Sequence, residues 1–148
     1  MNAPDLHAAA SAVALASDVV RQGWAHLAAT GSIDDDQVVA YDLAHAAAAI
    51  EIAHTLLDYG AQGQREARIA GAFAAEAVAD LAAKLYGRER AWGIDAASLD
   101  AVRPFVAAHR DPAFLAAIDD AGPSHLDDDF ELVKETFRRF ADDKIRPV

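Results

Sequence analysis

The sequence predicts an all-α protein, a helical bundle of about five or six helices, and two observations favour this class. Alanine occupies 38 of the 148 positions, whereas Val, Ile and Thr together occupy only 20. Because alanine has the highest helix propensity and β-branched residues favour strands, this composition favours helices. The longest segments also repeat their apolar residues with a helical period instead of alternating them. The small side chains further predict that the helices pack closely.

Three long helices are predicted in the first 87 residues. The first covers residues 5–29, where apolar residues recur every seven positions and Gly31 follows as a stop signal. The second covers residues 35–59, after a start signal formed by Asp34 and Gln37. The third covers residues 65–86 and carries apolar residues at steps of four, namely Ile69, Phe73, Ala77, Leu81 and Leu85.

The second predicted helix has apolar residues on two faces. One face repeats from Val39 to Leu57, and the other carries Tyr41, Ala48, Ile52, Leu56 and Tyr59. A helix that is apolar on both sides is typical of one buried between neighbouring helices. We therefore expect this helix to lie inside the bundle.

The pattern weakens over residues 88–118. Asp95 or Ser98 is expected to cap a shorter helix, and Pro104 is expected to break or kink it. The pair Asp111-Pro112 predicts the start of a further short helix that extends through Ile118, since Asp is a favoured N-cap and Pro a favoured first residue. Residues 122–124, Gly-Pro-Ser, are interpreted as a linker.

The last segment differs in composition from the rest of the chain. Residues 127–148 contain one alanine and twelve charged residues, and Pro147 is predicted to end the helix. A narrow apolar stripe runs along this helix and has few apolar residues left to pack on. It forms a candidate docking face, either for structure outside these residues or for the bundle itself, made of Phe130, Val133, Phe137, Phe140 and Ile145.

Charge and composition exclude several functional classes. The formal net charge is −11 and no basic stripe offsets it, so nucleic acid is not an expected partner. The chain has no cysteine, which excludes disulfides, thiol catalysis and cysteine-ligated metals. The uncharged runs are too short to span a bilayer, and residues 1–10 lack the basic start of a signal peptide. We therefore expect a cytoplasmic protein without membrane contacts.

Two carboxylate-x-x-His pairs in the second helix have the spacing of di-iron sites, Asp42 with His45 and Glu51 with His54. The pairs lie nine residues apart on one helix, which places them on opposite sides, so they cannot share a metal. Glu76 and Asp80 on the next helix could complete a mononuclear site. The alternative, that these histidines cap or bridge helices, is favoured. No catalytic, cofactor-binding or metal-binding residue is therefore predicted in this chain.

The closing stretch resembles a known family. Residues 131–147, ELVKETFRRFADDKIRP, resemble the opening helix of the acyl-CoA dehydrogenase family. Upstream, residues 39–50, 75–82 and 87–93 resemble the helical N-terminal extension of a subclass similar to methylsuccinyl-CoA dehydrogenase. That extension is similar to the helical bundle at the C-terminal end of these enzymes. The resemblance covers residues from about 34 to 148.

The resemblance implies the non-catalytic part of a flavoprotein. It divides the chain into an extension (1–122), a linker (123–129) and the truncated first dehydrogenase helix (130–148). The complete enzyme would use FAD to oxidise an acyl-CoA to an enoyl-CoA, with the remainder of the dehydrogenase as partner and a homo-oligomer as the assembly. FAD is not expected in this chain alone. The alternatives are a free-standing helical interaction module without enzyme activity and, less favoured, a metal-binding bundle.

Overall fold

The computed structural model describes residues 4–31, 33–118, 122 and 125–146, and within them the chain forms seven α-helices and no strand. The predicted all-α helical bundle is therefore confirmed. None of the helices in the described ranges has the length and apolarity needed to cross a membrane. The helices are α1 (Leu6–Thr30), α2 (Gln37–Gly60), α3 (Gln64–Leu85), α4 (Glu89–Trp92), α5 (Arg103–His109), α6 (Pro112–Leu115) and α7 (Asp128–Lys144).

The core lies between α1, α2 and α3, which all pack against one another. Its centre contains Val13, Leu43, Val78 and Leu81, all at most 1% exposed. Alanines fill much of the remaining space, and Gly23 lets α1 approach α2 closely, since a β-carbon there would lie 2.7 Å from Leu43 Cδ2. The predicted close packing of small side chains is thus present.

Short elements close the side of the bundle formed by α1 and α3. Helix α4 packs on α1 and buries Trp92 completely, while α5 and α6 pack on α3. Asp95 caps a turn and not the expected α-helix, because its carboxylate accepts a hydrogen bond from the Ala97 amide at 2.7 Å. The chain then forms a 3-10 turn (Asp100–Val102), and Pro104 lies in the first turn of α5, where a proline fits without breaking a hydrogen bond.

Two predicted helix boundaries are wrong by a few residues. Helix α2 begins at Gln37 with Asp36 at the N-cap position, so the expected start signal at Asp34 does not form the cap. Helix α6 is capped by Asp111 as predicted, with its carboxylate 2.8 Å from the Ala113 amide, but it ends at Leu115 and not at Ile118. Of the predicted linker, Pro123 and Ser124 lie outside the described residues, as does Pro147.

Helix α7 depends on its own cap, because none of its residues is buried. The Asp127 carboxylate accepts a hydrogen bond from the Phe130 amide at 3.0 Å, and three further acidic residues lie in the first turn. Asp127→Ala should cost this helix about 1 kcal/mol and fray it, visible as lost helicity in circular dichroism. Asp5→Ala removes the equivalent cap of α1, which is held by packing, and should leave helicity unchanged; equal losses would contradict the prediction.

Candidate docking surface

The polar side of α7 is held by ion pairs between successive turns. Glu131 pairs with Lys134 at 3.1 Å, and Glu135 pairs with Arg139 at 3.5 Å. Asp142 continues the series by pairing with Arg146 at 3.1 Å. Pairs at this spacing stabilise an isolated helix by about 0.2–0.5 kcal/mol each. These contacts and the Asp127 cap explain how α7 forms without support from the bundle.

The candidate docking face of α7 is exposed along its whole length. Phe137 is 70% exposed, and the other members are also at least half exposed: Phe130, Val133, Phe140 and Ile145. The four residues from Phe130 to Phe140 share one side of the helix, whereas Ile145 follows its last residue. A continuous row of exposed apolar side chains is typical of a surface that contacts another molecule. Leu132, which sequence reasoning missed, is also exposed but lies off this stripe.

A second apolar stripe is exposed on α2, which corrects the expectation that this helix is buried between neighbours. Helix α2 contacts α1 and α3 through the side that carries Leu43 and Ile50. The opposite side is uncovered: Tyr41 is 64% exposed and Ile52 is 52% exposed. We call this side the outer face of α2, and its residues are Val38, Tyr41, His45, Ala48, Ile52, Thr55 and Tyr59.

A polar contact anchors the chain just before α7. His125 Nε2 lies 2.9 Å from the Oε1 atom of Glu66, a buried carboxylate in the first turn of α3. The His125 ring also meets the Tyr59 ring edge-on, with the centroids 5.6 Å apart. The hydrogen bond from His125 lowers the pKa of Glu66 below its usual value, and a backbone hydrogen bond adds to this effect. The start of α7 is therefore fixed beside the end of α2 and the start of α3.

This anchor predicts a pH dependence of stability. Folding lowers the pKa of Glu66, so the ionised carboxylate stabilises the folded state at pH values above the usual glutamate pKa. This stabilisation is lost as the pH falls through the lowered pKa. Glu66→Gln should therefore lower the melting temperature at neutral pH and flatten its decline towards acid. Glu76→Gln is the matched control on α3, because Glu76 is an exposed partner of Arg110. If the melting temperature of Glu66→Gln fell towards acid pH as steeply as that of the unsubstituted chain, the contact would contribute nothing to stability.

The residues considered as metal ligands do not converge. Asp42 pairs with Arg88, and the His45 ring lies 4.3 Å from the Tyr41 ring. On α3, Glu76 pairs with Arg110 at 2.9 Å, and Asp80 pairs with Lys84. Within the described ranges no three His, Asp or Glu side chains are close enough to hold a metal ion.

Two further polar side chains, Arg68 of α3 and His109 of α5, are buried where α5 and α6 pack against α3. His109 Nδ1 lies 3.0 Å from the Phe105 carbonyl, so this nitrogen carries the proton, while Nε2 has no partner among the described residues. The Arg68 guanidinium lies 5.4 Å from the centre of the Phe114 ring, and its Nη1 atom also has no hydrogen-bond partner there. Sequence reasoning missed both, because neither residue belongs to a recognisable motif.

A groove between α3 and α5 has a volume of about 400 Å³ and an apolar floor that includes Val78, Leu99 and Val106. The carboxylates at its edge are already engaged within the chain. Asp95 caps its turn, and Asp100 pairs with Arg103 at 3.0 Å. The groove thus offers apolar contacts without a free charged group.

The stripe on α7 and the outer face of α2 are candidate contact surfaces, because both expose large apolar side chains to solvent. Comparisons with protein-family models, with curated proteins and with solved structures found no match.

Proposed function

We propose that this chain is the non-catalytic, N-terminal helical part of an FAD-dependent acyl-CoA dehydrogenase, and that it docks through α7. The observation that carries the proposal is the uncovered apolar stripe of α7, on a helix that is capped and ion-paired independently of the bundle. The sequence resemblance supports the identity of the enzyme, because α7 coincides with the stretch that resembles the first dehydrogenase helix.

The proposed role of the bundle is structural. It would support the association of subunits, while FAD and the acyl-CoA bind to the remainder of the dehydrogenase. A structural role is supported because several carboxylates and histidines that could act as acid or base are engaged in ion pairs or hydrogen bonds, namely Asp42, Glu76, His109 and the pair Glu66 with His125. A catalytic site would instead bring such groups together at a pocket.

The first experiment measures the intact mass and the bound flavin of the polypeptide that contains this sequence in its native organism. A mass several times 15.7 kDa, with FAD that is reduced when an acyl-CoA is added, is the expected result. A native polypeptide of 15.7 kDa that copurifies with no flavoprotein would overturn the dehydrogenase proposal.

A free-standing helical interaction module is the second candidate. It is favoured by the core that α1, α2 and α3 form with α4 and α5, to which α7 contributes no buried residue. It differs from the first proposal in expecting no flavin in any complex of the native protein. Both candidates use the same stripe on α7, so substitutions in that stripe do not separate them, whereas the flavin measurement does.

A further inference from the structure

The outer face of α2 has the spacing of a helix–helix seam. From Val38 to Tyr59 its residues recur at alternating steps of three and four, which keeps them on one side over six turns. This spacing is typical of helices that pack side by side along their length. The face lies opposite the core residues of α2, so within the described part of the chain no helix covers it.

Helix α7 carries a matching seam. Phe130, Val133, Phe137 and Phe140 recur at steps of three, four and three. Helices pack when large side chains of one enter spaces left between small side chains of the other. The phenylalanines of α7 provide the large side chains, and Ala48 and Thr55 on the outer face provide the space. At 1.5 Å per residue α7 is about 25 Å long and α2 about 36 Å, so α2 can accept α7 in full.

The charges beside the two seams are opposite. Helix α2 contains no lysine or arginine, and Glu51 and Asp58 lie along one side of its outer face. Beside its apolar stripe α7 carries Lys134, which pairs with Glu131 on its own helix, and Arg138 one turn later. Pairing α7 with α2 therefore brings opposite charges together, whereas pairing two α2 helices would bring acidic residues together.

The anchor at His125 holds the start of α7 beside Tyr59, at the end of the outer face of its own chain, but no residue of α7 is buried there. His125 contacts Glu66 and Tyr59, and α7 is capped only two residues later at Asp127. In the position that α7 takes after this anchor, none of its residues is buried. A helix that its own bundle leaves uncovered can reach the same surface on a second molecule.

We propose that the outer face of α2 is the acceptor for α7 of a second copy of this chain, so that two copies exchange their α7 helices about a twofold axis. The inference rests on the proposed function in taking α7 as the docking helix. Twofold exchange covers all four apolar stripes of the pair at once, which is why such interfaces close without leaving a free end. It also gives the proposed subunit association a specific contact.

Mass measurement in solution tests the exchange on the full chain. The protein should form a dimer of twice 15.7 kDa as its concentration rises. Ile52→Glu on α2 and Phe137→Glu on α7 should each weaken the dimer about tenfold or more, because each places a charge in an apolar seam. Ile33→Glu is the matched control, since Ile33 is 63% exposed and lies outside both seams. Circular dichroism verifies that all three variants remain folded.

Crosslinking identifies which copy receives α7. These 148 residues contain no cysteine, so Ile52→Cys and Phe137→Cys each introduce a single thiol. When the two variants are mixed, a flexible bis-maleimide should join one of each, and Ile33→Cys should not join to Phe137→Cys. A chain that stays monomeric overturns the proposal, and so does an Ile52→Cys/Phe137→Cys double variant whose bis-maleimide product has the mass of one chain. Neither result affects the flavin test of the proposed function.

Discussion

Replacing Trp92 with alanine should lower the free energy of unfolding by about 3–5 kcal/mol, because Trp92 is the largest fully buried side chain among the described residues. Trp92 is 0% exposed and closes the core beside Gly23, where a β-carbon would lie 3.1 Å from the indole ring. Its removal leaves a cavity beside α1 that the surrounding residues can fill only in part. The free energy of unfolding of a small domain is only about 5–15 kcal/mol, so this loss would be a large fraction of the total.

Urea denaturation measures this loss, with Tyr86→Ala as the control. Tyr86 is 87% exposed, so its truncation should change the free energy of unfolding by less than about 0.5 kcal/mol. Trp92→Phe should cost less than Trp92→Ala, because the phenyl ring fills part of the space that the indole leaves, while both variants remove the indole Nε1 atom, which is buried without a hydrogen-bond partner among the described residues. Equal losses for Trp92→Ala and Tyr86→Ala would show that Trp92 is not part of the core.

Leu43→Ala should lower the free energy of unfolding by about 2–5 kcal/mol. Leu43 is 0% exposed and packs against Gly23, where α1 approaches α2 closely, so the two backbones have little room to move into the space left behind. Ile52→Ala is the control, because it removes a similar aliphatic side chain from the uncovered side of the same helix. The measurement is urea denaturation at concentrations where the chain is monomeric.

The comparison of Leu43 with Ile52 also tests which side of α2 faces the core. If Ile52→Ala were as destabilising as Leu43→Ala in the monomer, both faces would be packed. The expectation that α2 is buried between neighbours would then be restored. Unequal losses are expected from the exposed position of Ile52 in the described structure.

The regular parts of the fold could be predicted from the sequence because they depend on short-range patterns. Alanine content and helical periodicity located α1, α2 and α3 to within about two residues, and Asp111 was a clear cap of α6. Apolar residues on two faces of α2 were misinterpreted, however. A stripe indicates that a face can be covered, and the sequence does not say whether a helix is present to cover it.

The contacts that position the candidate site were not predictable from the sequence. Glu66 and His125 are 59 residues apart, and Asp42 and Arg88 are 46 apart. Neither pair belongs to a local motif, because each forms only when three-dimensional packing brings separate elements together. The candidate docking face of α7 was predicted as a set of residues, and what it docks on stays a prediction.

The alanine-rich core has a thermal consequence. Twelve of the 28 buried hydrophobic residues in the described structure are alanines, and α7 buries none. The heat capacity change on unfolding grows with the apolar area that becomes hydrated, and an alanine side chain exposes little of it. This chain should therefore fall below the usual value of about 12–15 cal/mol/K per residue. Its free energy of unfolding should therefore curve less strongly with temperature than that of a typical domain of this length.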